Sequence, residues 1–206
     1  MANPANKTMP FDVFLALFVF AVVSSVTPGP NNFMVLASGV NFGFRRTIPH
    51  MMGVAIGFAV LVLAVGFGLG ALLKTFPALH TALKVAGGAY LLYLAWKIGT
   101  TRSLSGRGEG AAAPMTFMQA AAFQWVNPKA WVLALTAIAV YAMPDAPLTS
   151  IGLVIAIFTV IIPPTLALWT VFGTGLRNWL ADPVRLKWFN IGMGVLLAAT
   201  LWPMLR

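Results

Sequence analysis

Two short polar clusters interrupt long apolar stretches of this chain, and their residue types suit the binding of a small charged molecule. The first cluster runs Thr27-Pro28-Gly29-Pro30-Asn31-Asn32. Its prolines lack backbone N–H groups, so nearby carbonyls lose helical partners, and its glycine permits unusual backbone angles. Its asparagines add amide donors and acceptors, and the helix after Pro30 offers N–H groups to an anion. The cluster therefore suits a zwitterion, with a simple proline kink as the alternative.

The second cluster runs Gln124-Trp125-Val126-Asn127-Pro128-Lys129, and its lysine lies near the middle of an otherwise uncharged segment. A charge at that depth in a membrane costs on the order of 2.5–3.5 kcal/mol. The carboxylates of the chain stand only at segment ends or between segments, at Asp12, Glu109, Asp145 and Asp182. Lys129 therefore needs freed carbonyls, water or a substrate carboxylate as its partner. The alternative is a lysine that snorkels along a cavity wall without a role.

Other residues that could do chemistry are few. Pro163 and Pro164 remove two N–H groups from the middle of an apolar segment, and they are hinge candidates, with a static bend as the alternative. His50 could carry protons, although a single interfacial histidine is more often packed or wetted. No His, Asp and Glu cluster suits a metal, and neither a Ser–His–Asp set nor a phosphate loop is present. The sequence predicts a protein that is not an enzyme, with no metal site and no cofactor.

The composition indicates what kind of protein positions these clusters. The chain has 206 residues, of which 60% are hydrophobic and 8% charged, and it has no cysteine. Long uncharged runs predict an integral membrane protein surrounded by a lipid bilayer. The net charge of +9 falls in short segments between apolar runs, so it indicates topology and not nucleic-acid binding.

Six apolar segments are each long enough to cross a hydrocarbon core of about 30 Å as a helix. They run from about Phe11 to Ser38, Ile48 to Leu73, Leu79 to Ile98, Met115 to Tyr141, Leu148 to Leu176 and Val184 to Leu205. The first, fourth and fifth contain prolines and exceed the necessary length, which predicts bent or partly unwound helices. The predicted fold is an all-α integral membrane protein with six transmembrane helices, of which helices one and four are broken by proline.

The predicted helices form one membrane domain, residues 1–206, made of two halves. The first three-helix half covers 1–98, a Gly- and Ser-rich linker covers 99–114, and the second half covers 115–206. Three helices per half make the second half cross in the opposite sense, so the halves are predicted to be inverted repeats. Pro28 then corresponds to Pro128, although chance matching of small residues between the halves is the alternative.

Lysine and arginine predict the orientation, because cytoplasmic loops of membrane proteins carry the excess of positive charge. The segments after spans one, three and five hold Arg45, Arg46, Lys97, Arg102, Arg107, Arg177, Arg185 and Lys187. The opposite side holds Lys7, Lys74, Lys84 and Arg206. The linker is therefore predicted to lie in the cytoplasm and both termini on the other side of the membrane.

The clusters and their surroundings resemble the LysE/RhtB family of bacterial amino-acid exporters. The matching residues are the run from Thr27 to Asn32, Gly43-Phe44-Arg45-Arg46 with Gly53 and Gly57, Ala86 to Leu91 through Trp96-Lys97, and Phe123 to Lys129. The Pro-Gly-Pro-Asn-Asn variant is most similar to the cysteine and O-acetylserine exporter branch. The resemblance implies a six-helix exporter of the bacterial inner membrane, driven by proton exchange. With the orientation predicted from lysine and arginine, both termini would then be periplasmic. Some members have Asp where this chain has Asn31, so no carboxylate-based proton step is implied there.

These expectations combine into one hypothesis, an amino-acid efflux transporter that works by alternating access and exchanges protons for a small neutral amino acid or derivative. The predicted substrate site consists of Thr27, Pro28, Gly29, Pro30, Asn31, Asn32, Gln124, Asn127, Pro128 and Lys129. Lys129 would bind the substrate carboxylate, and the expected partners are the substrate, protons and lipid, with a homodimer left open. Two alternatives remain, a metal-ion exporter of the same superfamily and a non-transporting scaffold subunit of a membrane complex.

Overall fold

The computed structural model describes residues 9–104 and 113–202, apart from the side chains at positions 72–74, 77 and 79–80. These residues form helices and no strand. The α-helices are α1 (Phe11–Val26), α2 (Pro30–Phe42), α3 (Phe44–Ala64), α4 (Gly70–Thr75), α5 (Pro77–Thr100), α6 (Phe117–Phe123), α7 (Pro128–Tyr141), α8 (Pro147–Leu176) and α9 (Pro183–Ala199). A π-helical segment, Val65–Leu69, joins α3 to α4, and a 3-10 turn, Trp179–Ala181, precedes α9. The all-α prediction is confirmed for the described residues.

The helices overlap the six segments predicted to cross the membrane, and some extend past the predicted bounds by up to four residues. Two of those segments are broken beside prolines, and the second is kinked at Gly68, which has a φ of 99°. Helices α1 and α2 form the first segment and meet at an angle of 52°, and α6 and α7 form the fourth. Among the described residues, two helical stretches are long and apolar enough to cross a membrane, Phe44–Leu69 and Pro147–Leu176, or three if the bent pair counts as one span. The count of six spans and the inverted repeat therefore stay predictions.

The first connection and the fifth segment differ from the predicted structure. Gly43 alone separates α2 from α3, with a φ of 83°, a left-handed conformation that favours glycine. Arg45 and Arg46 thus belong to the first turn of α3 and not to a loop. Helix α8 runs without interruption through Pro163 and Pro164. The helix is therefore not unwound at the two prolines, and a bend or a hinge there stays a prediction.

The linker and the chain ends are described only in part. Helix α5 extends through Thr100, into the predicted linker, and residues 105–112, which include Arg107 and Glu109, lie outside the described ranges. Residues 1–8 and 203–206 also lie outside them, as do the side chains of Lys74 and His80. The division into halves at 1–98 and 115–206 stays a prediction.

The main apolar core surrounds α8 and draws on helices from both predicted halves. Helix α8 packs against α1, α2, α3 and α7, whereas α5 packs mainly against α9. The core around α8 includes the buried side chains of Leu17, Val35, Leu61, Ala134 and Phe158. Both broken segments contribute to this core, and the first break is buried at Gly29 and Pro30 but exposed at Thr27 and Pro28.

Glycines let α2 and α8 approach each other at backbone distance. A Cβ atom on Gly39 would collide with the carbonyl group of Thr170, and a Cβ atom on Gly173 would collide with the carbonyl group of Leu36. Glycines of α3 allow the same close approach to α6. Membrane helices without a hydrophobic driving force between them associate through such tight packing.

Large apolar side chains cover the outside of the helices. Exposed examples are Phe18, Val60, Leu92, Val160 and Val195, on five different helices. A water-soluble monomer rarely exposes apolar surface over so many elements, whereas lipid tails contact such side chains without cost. With the long apolar helices, this surface supports a protein that crosses the membrane more than once.

Candidate functional site

The two helix breaks line one cavity, here called the central cavity. Its polar lining consists of Ser24, Ser25, Gly29, Asn31, Asn32, Gln124, Asn127, Lys129 and Thr165. Its apolar lining consists of Val54, Phe58, Ala130, Leu133, Phe158, Ile162 and Leu166. The volume is about 50 Å³, and a water molecule needs roughly 10–15 Å³ by the same measure. The cavity therefore has room for a few waters or part of a small solute, with polar groups on one side.

Asn32 satisfies the carbonyl groups that the first break leaves without helical partners. Pro28 and Pro30 supply no N–H groups there, so the last carbonyls of α1 need other donors. The side-chain nitrogen of Asn32 donates to the carbonyl oxygens of Ser25 at 3.0 Å, Val26 at 3.3 Å and Thr27 at 3.1 Å. The amide of this predicted substrate ligand thus holds the end of α1 against the start of α2.

Lys129 reaches from the second break to the first. Its ammonium group donates a hydrogen bond to the carbonyl oxygen of Thr27, at the C-terminal end of α1, where the helix dipole favours a cation. Gly29 has a φ of −171°, which any residue can adopt, so glycine is not required there for its backbone angles. A Cβ atom on Gly29 would lie 2.7 Å from Cδ and 3.1 Å from Nζ of Lys129, so a larger residue there would displace the lysine side chain from its present position.

Asn31 and Gln124 join the two broken segments through a reciprocal pair of amide hydrogen bonds. Asn31 Nδ2 donates to Gln124 Oε1 at 2.9 Å, and Gln124 Nε2 donates to Asn31 Oδ1 at 3.2 Å. Gln124 Nε2 also donates to the carbonyl oxygen of Ala120 at 2.9 Å. Both side chains line the central cavity together with Lys129.

The second break follows the usual rules for starting a helix. Asn127 is the N-cap of α7, and its side-chain oxygen accepts from the backbone N–H of Lys129 at 3.1 Å. Pro128 occupies the first position of α7, where its missing N–H costs nothing. The indole of Trp131 donates to the carbonyl oxygen of Trp125 at 2.7 Å. The break thus has partners for its exposed backbone and holds Lys129 at the start of a helix.

Not every predicted site residue points into the central cavity. The hydroxyl of Thr27 donates to the carbonyl oxygen of Val23 at 2.6 Å and is exposed, so only the backbone carbonyl of Thr27 takes part. Pro28, Pro30 and Pro128 shape the breaks but do not line the cavity. Pro163 and Pro164 do not line it either. The remaining predicted residues, Gly29, Asn31, Asn32, Gln124, Asn127 and Lys129, meet there.

The sequence interpretation missed the serines at the end of α1 and the apolar wall. Ser25 lines the central cavity, and its hydroxyl is buried without a hydrogen-bond partner among the described residues. Ser24, beside it, also lines the cavity. The sequence could have indicated the serines, because they are two adjacent polar residues just before the first polar cluster. Val54, Phe58 and Phe158 could not be identified in this way, because an apolar residue in an apolar helix looks the same in the sequence whether it faces a cavity, a neighbouring helix or lipid.

Within residues 9–104 and 113–202, no three His, Asp or Glu side chains lie close enough together to hold a metal ion. The central cavity itself has one basic side chain, Lys129, and no carboxylate in its described lining. The polar side chains of its lining are one ammonium group, four amides and three hydroxyls. Such a set can bind both ends of a zwitterion.

Comparison with known proteins gives one family and a group of curated relatives. A model of the LysE type translocator family matches residues 22–202. The chain is 32% identical over 134 residues to the cysteine/O-acetylserine efflux proteins of Escherichia coli (strain K12) and Shigella sonnei (strain Ss046). These matches cover 63% of this chain and 66% of each relative, so the chain spans slightly less than two thirds of their length. No solved structure matches the chain.

Proposed function

The chain belongs to the LysE type translocator family, whose members are transporters and not enzymes, and from this premise we propose that it exports a small neutral amino acid or amino-acid derivative. The relatives that it matches are named cysteine/O-acetylserine efflux proteins. The observation that carries the proposal is the Lys129 ammonium, bonded to the Thr27 carbonyl, in a cavity that Asn31 and Gln124 also line.

The proposed substrate pose follows from the charges of the cavity wall. The Lys129 ammonium has three N–H donors, and its bond to Thr27 leaves donors for a substrate carboxylate. The substrate ammonium would be met by the oxygens of Ser25, Asn31 and Gln124, which line the same cavity. Ser25 has no partner among the described residues, so a substrate ammonium would satisfy a hydroxyl that is otherwise buried and unpaired.

The apolar wall limits the side chain of the proposed substrate. Phe58 and Phe158 lie with ring centroids 5.0 Å apart, and they line the central cavity together with Val54 and Leu166. A charged substrate side chain would be buried against these groups without a partner, at high cost. A short neutral side chain fits, which favours small neutral amino acids and their derivatives over basic or acidic ones.

The driving force and the location are part of the proposal. Export would proceed by alternating access in the bacterial inner membrane, with exchange for protons and with periplasmic termini. The described lining of the central cavity includes no Asp or Glu, so the proton would not be carried by a carboxylate of that cavity. The two broken segments are suited to opening and closing, because unwound backbone in transporters lines the substrate path.

Reconstitution of the purified protein in lipid vesicles tests the proposal. Vesicles loaded with unlabelled amino acid would be given external labelled serine, cysteine, O-acetylserine, lysine or glutamate, and uptake by counterflow would be measured at two pH gradients. We expect counterflow for the small neutral compounds. We also expect the net flux of amino acid to increase when the proton gradient drives protons in the opposite direction to the amino acid.

Three outcomes would contradict the proposal. Movement of lysine or glutamate alone would reject the neutral-substrate assignment. Accumulation of a divalent metal ion without amino-acid movement would favour the metal-exporter alternative. The absence of any solute movement by protein that elutes as a folded species would favour the scaffold alternative.

A further inference from the structure

A second cavity, here called the His50 cavity, lies toward the other end of α2. It measures about 60 Å³, and its polar lining side chains are Ser38, Asn41, His50, Lys97 and Thr101. Asn41 follows Asn31 by ten residues on α2, so the two asparagines are about 15 Å apart along the helix axis. The His50 cavity and the central cavity share no lining residue. They are therefore separate sites.

His50 is a buried polar group that lacks a partner. The side chain is 1% exposed, and neither Nδ1 nor Nε2 has a hydrogen-bond partner among the described residues. Such groups are rare in folded proteins, because an unpaired buried donor or acceptor costs about 1–3 kcal/mol. A neutral imidazole has one N–H donor and one acceptor nitrogen. A ligand that donates a hydrogen bond could therefore pair with the acceptor nitrogen of the ring.

The neighbouring polar side chains are already paired with one another. Asn41 and Asn190 exchange amide hydrogen bonds at 3.0 and 3.3 Å, and the hydroxyls of Ser38 and Thr47 are 2.8 Å apart. These pairs join α2 to α9 and to α3, so they hold the cavity wall in place. The groups left to bind a ligand are the imidazole of His50 and the positive charge of Lys97, which lines the cavity from α5.

We propose that the His50 cavity is a second binding site for a small zwitterion of the amino-acid class. The substrate carboxylate accepts a hydrogen bond from Lys97, and the substrate ammonium donates to the acceptor nitrogen of the His50 imidazole. This proposal rests on the proposed function, since it makes the His50 cavity a second binding site, or station, on the path of the exported solute.

The course of α2 connects the two stations. Asn31, Met34, Ser38 and Asn41 follow a spacing of three and four residues, which places them on one face of the helix. Met34 lines the His50 cavity, and it belongs to a buried apolar cluster with Phe123, the residue before Gln124 of the central cavity. A solute that moves along this face of α2 would leave one polar cavity, pass the cluster and reach the other.

The experiment uses two cysteine reporters, because the natural chain has no cysteine. Ala113→Cys places a thiol on the lining of the His50 cavity, and Ser24→Cys places one on the lining of the central cavity. The purified full-length protein in detergent is labelled with a methanethiosulfonate reagent, with and without O-acetyl-L-serine. At a probe concentration about four times its dissociation constant, we expect labelling of both thiols to slow about fivefold.

Three further substitutions separate the sites. His50→Leu should abolish protection of Ala113→Cys and leave protection of Ser24→Cys unchanged, whereas Lys129→Ala should do the reverse. Lys97→Gln, which keeps a long polar side chain, should also weaken protection of Ala113→Cys, and it provides the test if His50→Leu fails to fold. Protection of Ala113→Cys that persists in Lys97→Gln or His50→Leu would overturn the proposal.

The outcomes also distinguish this proposal from the proposed function. Protection of Ser24→Cys alone would reject the second station and leave the central site intact. Protection of neither thiol would reject both the central site and the second site. A His50 cavity that holds only water would leave Ala113→Cys unprotected. Protection of Ala113→Cys alone, lost in His50→Leu, would support the His50 cavity and reject the assignment of the central cavity.

Discussion

Lys129 and Asn32 both donate to carbonyl groups at the end of α1, but their contributions differ. Asn32 holds three of those carbonyls with one amide nitrogen, so it stabilises the break itself. Lys129 donates to Thr27 alone and adds the only charge of the described cavity lining. At the scale of single residues, Asn32 is thus expected to affect folding and Lys129 to affect transport.

Replacement of Lys129 tests the transport role. Lys129→Ala should reduce efflux of O-acetyl-L-serine from proteoliposomes at least about tenfold, because a charge-assisted hydrogen bond contributes about 1.5–3 kcal/mol. The variant should still insert, which membrane fractionation would show. Lys187→Ala is the matched control, since Lys187 is exposed on α9 beside Trp188 and should keep normal efflux. Normal efflux by Lys129→Ala would refute the role of the lysine.

Replacement of Asn32 tests the stabilising role. Asn32→Leu keeps a similar volume but removes the donor to three carbonyl groups, so the free energy of unfolding should fall by about 1–3 kcal/mol. Denaturation in detergent, followed by helical circular dichroism, measures this change. Asn178→Leu removes an exposed amide and should change the free energy little. An Asn32→Leu variant as stable as the wild type would show that water replaces the lost donor.

Helices α2 and α8 form the most extensive contact between the described elements. The contact depends on Gly39 and Gly173, each of which lies against the backbone of the other helix. Because α8 also contributes Phe158 and Ile162 to the central cavity, the spacing of this helix pair determines how far the apolar wall stands from Asn31. At the scale of elements, helix packing and cavity shape are therefore linked.

A pair of glycines on α8 tests this link. Gly173→Ala should lower the free energy of unfolding by about 1–3 kcal/mol, because the added methyl group overpacks the contact with α2. Gly175→Ala, two residues later, has no atom within 4 Å of the added Cβ. It should be neutral or stabilise by up to about 1 kcal/mol, since alanine favours helix. Thermal unfolding in detergent compares the two, and equal stabilities would contradict the packing argument.

The whole molecule carries an excess of positive charge at one end of its predicted spans, which predicts its orientation in the membrane. Lys187→Cys, near the start of α9, should react with a membrane-impermeant maleimide only after the spheroplasts are lysed, because this position is predicted to be cytoplasmic. Pro144→Cys, between α7 and α8, should react in intact spheroplasts. Both positions are exposed, so both thiols should react fully in detergent. The reverse pattern in spheroplasts would show that the protein inserts the other way.

Much of the fold could be predicted because its causes are local. The two breaks lie at Pro28 and Asn127-Pro128, where missing N–H groups and capping act within a few residues. The same local rule failed at Pro163 and Pro164, where α8 continues. Neighbouring helices pack against α8 on several sides, and such packing can hold a proline-containing helix together.

Only part of the central cavity could be predicted, because its composition depends on contacts between distant residues. The polar groups Asn31, Gln124 and Lys129 stood out as polar residues in apolar segments. The hydrogen bonds of Asn31 to Gln124 join residues that are 93 positions apart, and no pattern in either segment specifies that pairing. The role of Asn32 also depended on geometry, since an amide beside a break can face a solute or the freed carbonyls.

The amino-acid sequence by itself determined that this protein is helical and apolar, where two of its helices break, and which polar groups lie at the breaks. These properties follow from residue types and from the cost of unpaired backbone in lipid. The tertiary structure decided that both breaks meet in one cavity, that Gly29 lies against the Lys129 side chain, and that His50 is buried without a partner among the described residues. Those outcomes depend on how helices far apart in the chain pack together, which local chemistry does not specify.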